Sequence, residues 1–229
     1  GGGGGGGGGG GIGGGSLCER GASFVRHRQG EILELYSHYA NATAERLGAD
    51  ASPVWLVEPD LAQYASATQR GGGMQQSELV ALFCRIGARV REALPRARLS
   101  LDVSPWLPDQ EGWLSPFLDA CPIAFLHTSG GRTAAHSTRV RLDPHNFATW
   151  RGLSRIAGGR GVIADTGYGV GGAHEPGTDW LNETNLRARV ADGVVALSHA
   201  SPPADWAERV RRLRVRLPRT VDCLETSHS

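Results

Sequence analysis

Three aspartates, Asp60, Asp102 and Asp165, each follow a short apolar run in a chain of 229 residues. The runs are Val54–Val57, Leu99–Leu101 and Val162–Ala164, and a merely solubilising carboxylate has no reason to recur at that place. Asp205, and also Asp109, lie in loops that follow. Around these acids stand Trp106, Trp113, Tyr168, Trp180 and Trp206, all in loops or at element starts. Aromatic rings presented on loops make flat stacking surfaces for sugars. Carboxyls in pairs can protonate a leaving oxygen and assist water at an oxocarbenium-like centre. The set therefore points to glycoside hydrolysis, with Asp60, Asp102, Asp165 and Asp205 as the catalytic candidates. Trp106, Trp113, Tyr168, Trp180, His127 and Ser129 are the substrate-binding candidates.

Other chemistries fit less well. All 24 basic residues are Arg, so Schiff-base lysines and a Walker-type phosphate loop are excluded. Gly167-Tyr-Gly169-Val-Gly171-Gly172 matches G-x-G-x-x-G, yet Pro176 follows where a phosphate-binding helix should open. No cofactor is expected. Ser104 and Ser129 lack the G-x-S-x-G elbow of a serine nucleophile. His127, His199, Asp102 and Asp165 could meet at a divalent ion, which leaves a metal-dependent hydrolase as an alternative. No H-x-H or H-E-x-x-H spacing supports it, and no metal ligand is assigned.

The elements that must position these residues follow from periodicity. Gly21–Gly48 has helical spacing, and Ser77–Ala93 puts Leu79, Leu82, Phe83, Ile86 and Val90 on one face. Shorter helices are expected over 113–120, 147–157, 185–191 and 206–213. The apolar runs 54–57, 99–101, 123–126, 162–164 and 194–197 read as buried strands, the third and fifth ending at His127 and at Ser198-His199. Strands alternating with helices, each with a polar group at its C-terminal end, indicate an α/β fold. The expected form is a partial or distorted (β/α) barrel of parallel strands, since a complete one needs about 250 residues. An open doubly wound sheet is the alternative.

Residues 1–16, including eleven consecutive glycines, are expected as a flexible leader, and 17–229 as one domain. A formal net charge of +1 makes no case for nucleic acid or an anionic membrane. No apolar stretch approaches a membrane span. Cys18, Cys84, Cys121 and Cys223 lack zinc-knuckle spacing and allow up to two disulfides in three pairings. With the sequons Asn41-Ala-Thr43 and Asn182-Glu-Thr184 they suggest a secreted glycoprotein. The oligomeric state is left open.

Several of these segments resemble family 6 glycoside hydrolases, the cellobiohydrolases and endoglucanases that invert β-1,4-glucan bonds. Trp55-Leu-Val-Glu-Pro-Asp-Leu-Ala62 resembles that family's Glu-Pro-Asp-Ser-Leu-Ala strand end, which implies that Asp60 is the general acid. Leu101-Asp102, Ile163-Ala-Asp165-Thr-Gly167 and Asp179-Trp180-Leu-Asn182 are similar to three further motifs, the last implying that Trp180 stacks on a glucosyl unit. The likeness runs through short motifs between Gly21 and Trp206. It implies a secreted inverting hydrolase acting on a β-glucan-type polysaccharide. Ser198–Asp205 stands where the family has Lys-Pro-Gly-Gly-Glu-Ser-Asp-Gly, so a catalytically inactive glycan-binding protein of the wall or matrix is the alternative.

Overall fold

The computed structural model describes residues 17–57, 61–128, 133–142, 144, 146–166, 179–199, 202, 204–213 and 215. Asp60, Ser129, Tyr168, the glycine-rich loop 167–172 and the expected leader lie outside them.

The helical pattern over 21–48 forms two helices, α1 (Leu17–His27) and α2 (Gln29–Leu47), divided at Arg28. Strand β1 (Val54–Val57) follows, then a four-residue helix, α3 (Leu61–Tyr64), too short to leave a periodic signal. Helix α4 (Gln76–Ala93) starts at Gln76 rather than Ser77, with Gln75 as its cap: the Gln75 amide donates to Glu78 Oε2 at 2.6 Å, occupying a free helix-start N–H. Next come β2 (Arg98–Val103), α5 (Gln110–Ala120), β3 (Ile123–Thr128), α6 (Trp150–Ile156), β4 (Gly161–Asp165), α7 (Glu183–Ala191), β5 (Val194–Ser198) and α8 (Trp206–Arg212). Asp109 caps α5 by accepting from the Gly112 amide, which gives that carboxylate a structural role.

All five strands are parallel and lie in the order β1-β2-β3-β4-β5. A doubly wound sheet reverses its strand order part-way; this one does not. Each strand pairs with the next along the chain, as in a (β/α) barrel, and among the described residues β1 and β5 are the edges. The fold is a partial α/β barrel.

Register divides the sheet into two faces, because residues paired across parallel strands point to the same side. Val57, Leu99, Leu101, Val103, Leu126, Val162, Ala164 and Val194 lie on one face, in a core shared with Leu79, Phe83, Ile86 and Val90 of α4. Gly87 lets α4 approach: a Cβ there would stand 2.3 Å from Leu99 Cδ1. Cys84 of α4 is disulfide-bonded to Cys121 at the end of α5, with Cα atoms 5.2 Å apart. This selects one of the pairings the sequence left open. No helix among the described residues is long and apolar enough to cross a membrane.

Candidate functional site

The opposite, inner face carries a different composition. On β2 it holds Arg98, Ser100 and Asp102; on β3, Phe125 and His127; on β4, Ile163 and Asp165; on β5, Ala196 and Ser198. The alternation in Arg98-Leu-Ser-Leu-Asp-Val103 produces this directly, sending polar residues inward and apolar ones towards the helices. Asp102, His127 and Asp165 therefore share one face at the C-terminal ends of three consecutive strands. They are buried, at 3%, 2% and 5% exposure.

His127 Nδ1 lies 2.9 Å from Ser100 Oγ, and Nε2 lies 3.9 Å from Asp102 Oδ1. Burial disfavours the charged ring and pushes its pKa from 6.5 down to about 3, so it is neutral near pH 7. His127, a substrate-contact candidate, lies beside Asp102, its register partner on β2, and is equally buried. Ser100 escaped the sequence reading, although two-residue alternation with Asp102 was a signal that could have found it.

Asp165 is braced through its backbone. Its amide donates to Thr128 Oγ1 at 3.0 Å, and its carbonyl accepts from Thr133 Oγ1. Thr133 Oγ1 in turn accepts from Trp180 Nε1 at 3.2 Å. Trp180 is not the exposed sugar platform its motif implied. It is 1% exposed and packs edge-on to Trp150, ring centroids 5.3 Å apart. A large ring that keeps a partner for its one N–H gains more from burial than from facing water. Its neighbour Asp179 is equally structural: it accepts from the Ala135 and His136 amides and from Asn185 Nδ2. Together these contacts tie the segment 133–136 to the start of α7.

Trp106 and Trp113 come together. With Ala62, Gln63, Ala65, Ser66, Thr68 and Leu107 they line an open groove of about 400 Å³. It is built from the segments that follow β1 and β2, and every lining residue is uncharged. Trp113 rests on Phe117, centroids 5.4 Å apart. Gln110, buried at the start of α5, donates from Nε2 to the Ser104 and Leu107 carbonyls and shapes the turn bearing Trp106. A larger groove of about 500 Å³ lies in the helix layer between α2 and α4. Asp205 stands exposed at the start of α8, outside the buried inner-face set. His199 packs against Trp206, centroids 4.8 Å apart. Among the described residues no three His, Cys, Asp or Glu side chains are grouped to hold a metal ion, so the strand-end His/Asp set does not form the alternative metal site.

No protein-family model and no curated protein matches the chain. Similar solved structures include a morphinone reductase mutant in complex with tetrahydroNAD, at 18% identity and a TM-score of 0.49. That match covers 81% of this chain and 49% of the other. A family 44 endoglucanase from Clostridium thermocellum is similar at 14% identity and a TM-score of 0.45, covering 74% of this chain and 47% of that one. The chain spans about half the length of each. Neither is a family 6 hydrolase, and that resemblance rests on the short motifs alone.

Proposed function

We propose that the chain acts on polysaccharide as an inverting glycoside hydrolase of β-glucan type, at the C-terminal edge of its parallel sheet. The observation that carries this reading is the placement of Asp102 and Asp165 on one buried face, at the ends of strands separated only by β3. Neighbouring strands lie about 4.8 Å apart, so the two backbones stand about 10 Å apart. In this reading Asp60 protonates the leaving oxygen, Asp102 stays charged and raises the acid's pKa, and Asp165 orients the water. Asp205 is the second candidate for that base. Trp106 and Trp113 receive sugar in the uncharged groove, and Tyr168 and Ser129 contribute further contacts. A secreted setting is supported by the Cys84–Cys121 disulfide and by the sequon residues Asn41 and Asn182, both exposed.

The test is incubation of the full chain with a panel of β-glucans, with product anomers followed by NMR. Inverted product is expected. Asp60→Asn and Asp165→Asn should each cut turnover by about 10²–10⁴ while binding survives. Product of retained configuration overturns the reading. The groove favours one second reading, a glycan-binding protein without turnover. Binding without product, lost in Trp106→Ala, would establish it.

A further inference from the structure

Ser100, His127 and Asp102 form a buried row whose chemistry reaches past the motifs that suggested hydrolysis. We propose that Ser100 and His127 are positioning residues for Asp102: the serine holds the imidazole with its single proton on Nε2, facing Asp102, which is thereby kept as the ionised carboxyl of the site. This rests on the hydrolytic reading and assigns, within it, which carboxyl remains charged.

The geometry leaves few arrangements. From β2 the ring faces Ser100 and Asp102; from β4 its register partner is Ile163, with Asp165 next along the same face. Burial alone disfavours the charged ring, which is neutral near pH 7. A neutral imidazole has one N–H and one bare nitrogen. With the proton on Nδ1, the Nε2 lone pair would oppose a carboxylate oxygen in a low-dielectric interior, acceptor against acceptor. With the proton on Nε2, the same contact becomes N–H towards O⁻. Ser100 Oγ, 2.9 Å from Nδ1, then donates its hydroxyl proton to the bare nitrogen. At 3.9 Å the Nε2–Oδ1 contact is electrostatic and not yet a hydrogen bond. A movement of about 1 Å closes it, as happens when active-site hydrogen bonds tighten around substrate. The competing arrangement stores a proton on Asp102, which donates to a bare Nε2, and it requires the opposite tautomer.

Long-range ¹H–¹⁵N correlation spectra of the ¹⁵N-labelled full chain separate the two. The His127 signal is assigned by its loss in His127→Gln. It should show the Nε2–H tautomer unchanged from about pH 8 to about pH 5, the range where an ordinary histidine changes charge. A proton on Nδ1, or titration within that range, overturns the proposal, and the unmutated protein alone decides this. In Ser100→Ala the tautomers should mix while circular dichroism stays native; an unchanged tautomer removes Ser100 from the role. Absence of glycan hydrolysis would sink the hydrolytic reading and leave the spectrum to be judged on its own terms. Where hydrolysis occurs, Ser100→Ala should move the acidic limb of the kcat/KM profile to higher pH, since the carboxylate loses an ordered N–H. An unmoved limb counts against positioning.

Discussion

The indole of Trp180 meets that of Trp150 edge to face, centroids 5.3 Å apart, although thirty residues separate them. Trp180 Nε1 donates to Thr133, and Thr133 donates to the Asp165 carbonyl, so the ring is part of the frame behind a candidate catalytic carboxylate. Trp180→Ala should destabilise the protein by about 3–5 kcal/mol, as removal of a buried aromatic does. Urea unfolding measures it. A variant of unchanged stability that had lost only glycan affinity would restore Trp180 as a sugar platform.

Cys84 and Cys121 lie 37 residues apart and staple α4 to the end of α5. Reduction, or Cys84→Ser with Cys121→Ser, should cost about 2–5 kcal/mol. Thermal unfolding with and without reductant should show the same loss. If the midpoint is unmoved, the bond is absent in solution.

Stability should depend on pH through His127. Unfolded, its imidazole takes up a proton below about pH 6.5; folded, it stays neutral down to about pH 3. Its contribution is thus complete above pH 6.5 and drains away as pH falls from 6.5 towards 3. At 1.36 kcal/mol per pKa unit the full effect is of order a few kcal/mol. Denaturant titrations across this window should give a flatter slope for His127→Gln than for the unmutated chain.

Gly87 sits where α4 crosses β2. Adding one methyl group there drives Cβ to within 2.3 Å of Leu99 Cδ1, in a core with little slack. Gly87→Ala should cost about 1–3 kcal/mol despite the better helix propensity of alanine. A gain in thermal stability would mean that the helix and strand can separate without loss.

Much of the architecture was legible in the residues themselves. The apolar runs from Val54 and Ile123 and the face of α4 are local patterns, and period two or period 3.6 announces a strand or helix without reference to distant chain. The same alternation in β2 sorts Ser100 and Asp102 from Leu99 and Leu101. Strand order was not local: five similar runs fit a barrel or a doubly wound sheet, and pairing between strands chose the barrel. The burial of Trp180 was not local for the same reason, since a tryptophan in a loop is exposed or enclosed according to whether Trp150 and Thr133 reach it. Two facts were likewise decided only when remote segments met: that Cys84 takes Cys121, and that His127 turns to Ser100 and away from solvent. Sequence determines what each side chain can do. Burial and partner, which determine what it does do, depend on packing between residues that the chain keeps far apart.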